Sequence, residues 1–220
     1  MQKILLALSL SAAFLLTGCY DQYSYSRNNW QPPVTNQAES YSQRRPASPI
    51  MHGLPANYEE FKNRYASMGR TPQGAVKLYF DAVFSYIEGN RAEAMKMIRY
   101  SMHEGKGWER TGYHSTFMER LNNPKYHHIF RSFAVGSSPE NDYAMNPQNY
   151  RLAISGQREM HGYVQVLLIS SGSESLRSVQ VRQHDDGLWY VMQNAATYTQ
   201  VQDSYSQRAQ RMYEHDADYD

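Results

Sequence analysis

The chain has 220 residues, a formal net charge of +1, 19 tyrosines and one cysteine. This length fits one domain with a sizeable core, together with shorter segments outside it. A net charge so close to zero argues against nucleic-acid binding, which needs clustered Lys and Arg. The single cysteine, Cys19, excludes a disulfide within the chain.

The beginning of the chain has three zones. Lys3 gives a short positive start, residues 4–16 are an apolar run, and two small residues precede Cys19. The apolar run is shorter than the ~20 residues that a membrane-spanning helix needs. A charged start, a short apolar run and small residues before a cleavage site are typical of signal peptides, so we predict one over residues 1–18.

The residues at the predicted cleavage site, Leu16-Thr17-Gly18-Cys19, resemble the lipobox of bacterial lipoproteins. The resemblance implies that the mature chain begins at a lipid-modified Cys19, and several acyl chains at ~0.8 kcal/mol per buried methylene make such an anchor permanent. The residue after the cysteine is Tyr20 and not Asp. This implies an outer-membrane lipoprotein that faces the periplasm, while Asp21 leaves the inner membrane open. The alternative is an ordinary signal peptide or a membrane anchor.

Residues 19–53 are rich in Tyr, Gln, Asn, Ser, Arg and Pro and contain almost no aliphatic side chains. Such a segment cannot bury enough apolar area to offset its chain entropy. We predict a flexible, disordered tether that holds the folded domain away from the bilayer. The alternative is a segment that binds a glycan or a partner protein through its aromatic residues, which are Tyr20, Tyr23, Tyr25, Trp30 and Tyr41.

The folded domain is predicted over residues 54–198, and its first half is helical. Asn57 and Thr71 are predicted N-caps, with Glu60 in the capping-box position and Pro72 at the first position of the second helix. The second helix has a broad apolar face that predicts packing on a sheet. Its opposite, polar stripe is predicted to contain Lys77, Asp81, Ser85 and Glu88. Further helices are predicted after Asn90, with Ala92, Met95, Ile98 and Met102 on one face, and over residues 108–121.

After Pro124 the apolar period changes from 3.6 to 2, which predicts strands over residues 126–135, 150–154, 163–169, 176–184 and 188–192. Asp186-Gly187 predicts a hairpin between the last two strands. Val179 and Val181 share one face, as do Trp189 and Val191. Residues 199–220 are predicted to be a partly helical tail with a frayed end. The order of elements predicts an α+β fold with N-terminal helices packed on a curved antiparallel sheet.

Five groups of residues carry a resemblance to a known fold. Thr71-Pro-Gln-Gly-Ala-Val76, Tyr79-Phe80 and the turn at Glu88-Gly89-Asn90 are similar to the opening of small lipoprotein domains in the nuclear-transport-factor-2-like superfamily. The closing Val179-Gln-Val181 and Trp189-Tyr-Val191 are similar to the last hairpin of these domains. The resemblance covers residues 71–193 and implies a curved sheet around a pocket. Ketosteroid isomerases in this superfamily place acid and base residues there, but no catalytic motif matches this chain.

The chain offers few candidates for chemistry. His127-His128 is predicted at the start of a strand, with its rings on opposite faces. His103, Glu104 and His114 lack the spacing of a helical zinc motif, and Ser170 to Ser173 lack the partners of a catalytic triad. His161 is predicted in a solvated turn. Gly105-Lys106-Gly107 is not a phosphate loop, and the methionines (Met95, Met97, Met102 and Met118) are interpreted as core residues.

Two classes of function are consistent with these observations. We expect a membrane-anchored envelope lipoprotein whose domain is a non-enzymatic binding module for an envelope protein or a glycan, with no cofactor and no metal. The alternative is a pocket for a small apolar molecule, with or without turnover, as in the ketosteroid-isomerase type.

Overall fold

The computed structural model describes residues 53–103 and 110–217, with side chains up to residue 214. The helices are α1 (Tyr58–Met68), α2 (Pro72–Ile87), α3 (Arg91–Ser101), α4 (Gly112–Asn122), α5 (His127–Arg131) and α6 (Tyr205–Ala217). The strands are β1 (Ile154–Met160), β2 (Tyr163–Leu168), β3 (Arg177–Gln183) and β4 (Trp189–Gln193). The α+β class is therefore confirmed. The predicted signal peptide, Cys19 and the tether lie outside the described residues.

The first two helices begin where their capping residues predict. Glu60 N donates to Asn57 Oδ1 at 2.9 Å, and Gly74 N donates to Thr71 Oγ1 at 3.1 Å. These side chains satisfy backbone donors that have no partner inside the helix. Asn90 stands at the predicted start of α3, but its side chain makes no cap and donates instead to Ala56 O at 3.0 Å.

α2 is the central helix of the domain, and it is buried on more sides than its sequence predicts. Asp81 and Ser85 are each only 2% exposed, so the prediction of a polar stripe along this side is wrong. Tyr150, from the segment before β1, covers that side. Its ring lies 4.7 Å from the ring of Phe84, and its hydroxyl donates to Asp81 Oδ1 at 2.8 Å. A polar residue on α2 is therefore accommodated by a partner distant in the sequence.

The four strands form one antiparallel sheet in the order β1-β2-β3-β4. Val164 pairs with Val181 and Val166 pairs with Val179, and all four side chains are buried in the core that contains α2. The predicted hairpin between β3 and β4 is confirmed: Gly187 has φ +75°, and His184 N donates to Leu188 O at 2.9 Å across the turn. β1 and β4 are the two edges of the sheet.

The strand predicted over residues 126–135 is wrong, because α5 and a preceding 3-10 turn occupy most of this segment. Asn123 Oδ1 accepts from Lys125 N at 3.1 Å, so Asn123 caps the 3-10 turn that Pro124 begins. The strand predicted over residues 150–154 is reduced to an isolated bridge between Ala134 and Leu152. β1 begins at Ile154, the last residue of this predicted strand, and continues through a mostly exposed stretch that has no apolar alternation.

The remaining helices differ in smaller ways from their predictions. The buried face of α3 contains Ala94, Met97 and Ile98, whereas Ala92, predicted on this face, is exposed. α4 begins at Gly112, capped by Thr111. α6 lies in the predicted tail and continues to Ala217, where a frayed end was predicted. Of the helices in the described ranges, none is long and apolar enough to cross a membrane.

Candidate functional site

An open cleft of about 680 Å³ lies between α1, α3 and the turn that joins β3 to β4. It is lined by Tyr58, Lys96, Arg99, Tyr100, His103, Asp186 and Tyr190. We call it the tyrosine cleft. Its residues come from three separate parts of the chain, and the packing of α1 and α3 against each other and against β4 brings them together.

A set of tyrosine rings builds the wall of the tyrosine cleft. Tyr190 stacks on Tyr65 with 5.4 Å between ring centroids and 18° between planes, and Tyr100 meets Tyr65 edge-on at 5.0 Å. Tyr58 meets Tyr100 edge-on at 5.9 Å. Tyr65 is fully buried, and its hydroxyl donates to Trp189 O at 2.7 Å. Because the rings contact one another, the surface they present is formed without any ligand.

Two histidines and an aspartate stand at one end of this wall. His103, directly after α3, has φ +50°, a left-handed conformation that is uncommon outside glycine. Its ring centroid lies 4.2 Å from that of His184 and 4.7 Å from that of Tyr190. Asp186 Oδ2 accepts from the Tyr190 hydroxyl at 2.7 Å. This end of the tyrosine cleft therefore offers donors, an acceptor and aromatic faces within a small area.

The protonation of this group follows from its contacts. Burial and the Asp186 carboxylate raise the pKa of Tyr190, so its hydroxyl keeps its proton. Partial burial opposes ionisation of Asp186, but hydrogen bonds from Leu188 N and Tyr190, with the nearby His184, lower its pKa overall. Both shifts move these groups away from the neutral range in which general acids and bases work best.

A second concavity, of about 270 Å³, lies where β4 ends beside α3 and α4. It is lined by Met102, Thr111, Tyr113, Phe117, Met192, Gln193, Asn194, Ala195 and Tyr198. We call it the Asn194 cavity. It is smaller than the tyrosine cleft, and rings and methionine side chains make up most of its described lining.

A closed hydrogen-bond network supports the Asn194 cavity from the core side. Thr197 Oγ1 donates its proton to Asn194 O at 2.8 Å. At its 3.0 Å contact with the Tyr79 hydroxyl, Thr197 Oγ1 therefore accepts. The Tyr79 oxygen in turn accepts from Asn194 Nδ2 at 3.0 Å. Burial raises the pKa of Tyr79. The amide of Asn194 is therefore held in one orientation by a protonated tyrosine.

The chain matches one family model, described as Domain of unknown function (DUF6935), over residues 53–204. The chain belongs to this family. Searches of curated proteins and of solved structures gave no match. The tyrosine cleft and the Asn194 cavity both lie inside the DUF6935 domain, whereas α6 begins at Tyr205, directly after it. The lipobox and the resemblance to the nuclear-transport-factor-2-like superfamily stay predictions.

The histidines predicted as candidates are spread over the DUF6935 domain. His103 lines the tyrosine cleft, although Glu104 lies outside the described residues. His127 and His128 are on α5 and not on a strand. Their rings bond to the backbone, His127 Nε2 to Leu121 O and His128 Nδ1 to Lys125 O, both at 2.8 Å. His161 is exposed in the turn between β1 and β2, as predicted.

The serines after β2 have a structural role in the DUF6935 domain. Ser170 Oγ lies 2.8 Å from Ser132 Oγ, and Ser171 N donates to Ser132 O at 2.9 Å, so this loop is fastened to the residue after α5. Among the described residues, no three His, Cys, Asp or Glu side chains are arranged to hold a metal ion. Met97 is buried in the core, and Met102 lines the Asn194 cavity.

Sequence reasoning missed His184, Asp186 and Tyr190 as site residues. Asp186 was assigned only to the hairpin turn, where its Oδ1 does accept from Leu188 N at 2.9 Å. The one local signal was the high frequency of tyrosine, because a half-buried tyrosine often stands at a binding surface. The pairing of His103 with His184 has no local signal, because it depends on how α3 meets β4.

Proposed function

We propose that the chain is an envelope lipoprotein, anchored by lipid on Cys19, whose DUF6935 domain is a non-enzymatic binding module for another envelope protein. The tyrosine cleft is the docking site. The lipid holds the module at the outer membrane facing the periplasm, and the tether gives it reach. The lipobox residues Leu16 to Cys19 and the following Tyr20 support the anchor and its membrane.

The observation that carries the binding proposal is the composition of the tyrosine cleft and the contacts between its rings. Tyrosine and arginine are enriched at protein interfaces and at their energetic centres, because they bury large area while keeping polar contacts. Tyr58, Tyr100, Tyr190 and Arg99 line this cleft. Lys96, whose side chain is 57% exposed, adds a positive charge at its rim beside Glu93. Mixed charge over aromatic faces suits a protein segment.

The protonation of Tyr190 and Asp186 favours a role in binding for this pair. Tyr190 retains its proton and Asp186 stays ionised at neutral pH, because the pKa of the first is raised and that of the second is lowered. Neither group is therefore tuned to exchange a proton with a substrate near pH 7. The hydrogen bond between Tyr190 and Asp186 instead fixes the orientation of two polar groups, which suits the recognition of a partner.

The anchor is tested by Cys19→Ser. We expect this variant to remain an unprocessed and unlipidated precursor, because the thiol that receives the lipid is absent. Metabolic labelling with a fatty acid, together with the size of the chain on a gel, measures both steps. Mature-sized, membrane-bound chain from this variant would overturn the anchor without affecting the docking site.

The docking site is tested by placing a photocrosslinking amino acid at Lys96 in intact cells of the host. We expect one discrete protein adduct, because Lys96 stands at the rim of the tyrosine cleft. The matched control is Glu174, which is exposed in the turn at the opposite end of β3. An equal adduct pattern from both positions refutes the docking site, and an adduct that a glycan-cleaving enzyme removes identifies a glycan as the occupant instead.

A further inference from the structure

The Asn194 cavity has the chemistry of a small-molecule site that is separate from the tyrosine cleft. Its described lining contains no charged side chain. Its volume of about 270 Å³ is just below the roughly 300–1,000 Å³ of sites for drug-sized ligands, so an occupant is small. This described lining offers an ion no charge to offset the loss of its hydration, whereas a neutral, mostly apolar molecule needs none.

One buried amide in this lining, that of Asn194, has hydrogen-bonding capacity to spare. Asn194 is only 6% exposed, and its Nδ2 is directed by two partners, the Tyr79 oxygen at 3.0 Å and Met102 Sδ at 3.7 Å. Within the described ranges, no residue donates a hydrogen bond to its Oδ1. A carboxamide oxygen accepts hydrogen bonds and cannot donate them. An occupant that satisfies Asn194 must therefore present an O–H or N–H group.

The network behind Asn194 makes this requirement specific. Rotating the amide to offer its nitrogen to an occupant would point Oδ1 at the Tyr79 oxygen. That oxygen has only one proton, which it already donates to Thr197. The rotated amide would be bonded only if Thr197 Oγ1 turned its proton from Asn194 O to the Tyr79 oxygen, which gives up the hydrogen bond from this hydroxyl to Asn194 O. The amide orientation in which Asn194 Oδ1 accepts a hydrogen bond from the occupant is therefore favoured.

We propose that the Asn194 cavity binds a small, neutral, mostly apolar molecule with one hydroxyl or N–H group, which donates to Asn194 Oδ1. The rings of Phe117 and Tyr198 and the methionines Met102 and Met192 enclose its apolar part. Methionine suits this task because its flexible side chain adapts to irregular shapes. The proposal does not depend on the tyrosine cleft or on its partner.

The test uses two isomers, 4-methylphenol and anisole, which contain the same atoms and differ in whether the oxygen carries a proton. The full lipidated chain, held in lipid nanodiscs, is labelled at the methionine methyl groups and titrated with each probe by NMR. We expect saturable shifts at Met102 and Met192, and about tenfold tighter binding of 4-methylphenol, the value of a hydrogen bond to a buried acceptor. Met160, exposed on β1, reports non-specific effects.

Two variants distinguish binding in the Asn194 cavity from partition of the probe into the lipid. Ala195→Phe places a ring in the Asn194 cavity without removing any member of the Tyr79–Asn194–Thr197 network, so we expect it to abolish the saturable shifts. Ala144→Phe adds the same bulk at an exposed position and should leave them unchanged. Equal affinity for the two isomers, shifts that survive Ala195→Phe, or the absence of saturable shifts with 4-methylphenol would each overturn the proposal.

Discussion

Val181→Asp should leave the DUF6935 domain largely unfolded under native conditions. Val181 is fully buried on β3, paired with Val164 on β2 and Val191 on β4. A carboxylate at this position in the hydrophobic core loses its hydration, while the apolar contacts of the valine are lost. We expect a loss of about 4 kcal/mol or more, which is a large part of the ~5–15 kcal/mol that stabilises a typical domain.

Urea unfolding followed by circular dichroism measures this loss. The matched control is Val135→Asp, in which the same substitution falls on a side chain that is 51% exposed. We expect the control to change the free energy of unfolding by no more than about 0.5 kcal/mol, as is usual for surface positions. A Val181→Asp domain as stable as this control would contradict the β2–β3–β4 register.

The parts of the fold that could be predicted from the sequence are those fixed by local chemistry. Thr71 with Pro72 favours the start of a helix through local chemistry, because the cap and the fixed φ angle act within one turn. Asp186-Gly187 specifies a tight turn in the same way, since glycine takes a positive φ without strain. These local signals predicted the bounds of α2 and of the β3–β4 hairpin almost to the residue.

The structure of residues 126–135, the segment before the sheet, could not be predicted from local chemistry in this way. Ile129, Phe130 and Phe133 are all buried, and a short apolar run is compatible with either a strand or a buried helix. The deciding residues were Asn123 and Pro124, which begin a 3-10 turn that continues into α5. In the sequence, Pro124 was interpreted only as the point after which the apolar period changes.

The tyrosine cleft depends on contacts that no local pattern encodes. Tyr58, Tyr100 and Tyr190 belong to three elements, and each alone reads as an amphipathic residue of a helix or an edge strand. Only the packing of α1 and α3 beside β4 turns them into one surface. The same holds for Asn194, whose importance arises from Tyr79 on the distant α2.

Asp81 shows most clearly how a distant contact changes the meaning of a residue. On a helical wheel it belongs to a polar stripe, yet Lys77 Nζ lies 2.5 Å from its Oδ1 and Tyr150 shields it from water. The ammonium of Lys77 also lies 4.0 Å above the ring of Tyr150. This arrangement buries the Asp81 carboxylate of an expected surface pair, while the Lys77 side chain stays 27% exposed.

Lys77→Met should therefore destabilise the domain by about 3–5 kcal/mol, because it leaves the Asp81 carboxylate buried without its cation. The double variant Lys77→Met with Asp81→Asn should recover most of this loss, since the amide is neutral and still accepts from the Tyr150 hydroxyl. Urea unfolding at neutral pH measures all three proteins. A double variant no more stable than Lys77→Met would show that the lysine acts through its packing on Tyr150 and not through its charge.

The pH dependence of the free energy of unfolding further distinguishes the charge of Lys77 from its packing on Tyr150. Burial raises the pKa of Asp81 in the folded state, although Lys77 and Tyr150 partly oppose the shift. The folded domain therefore holds this proton more tightly than the unfolded chain, in which an aspartate titrates near ~3.9. The stability that the proton contributes is fully present below about pH 4 and is lost as pH rises through the folded pKa. Lys77→Met removes a charge that lowers this pKa, so the decline should extend to higher pH, and Asp81→Asn should abolish it.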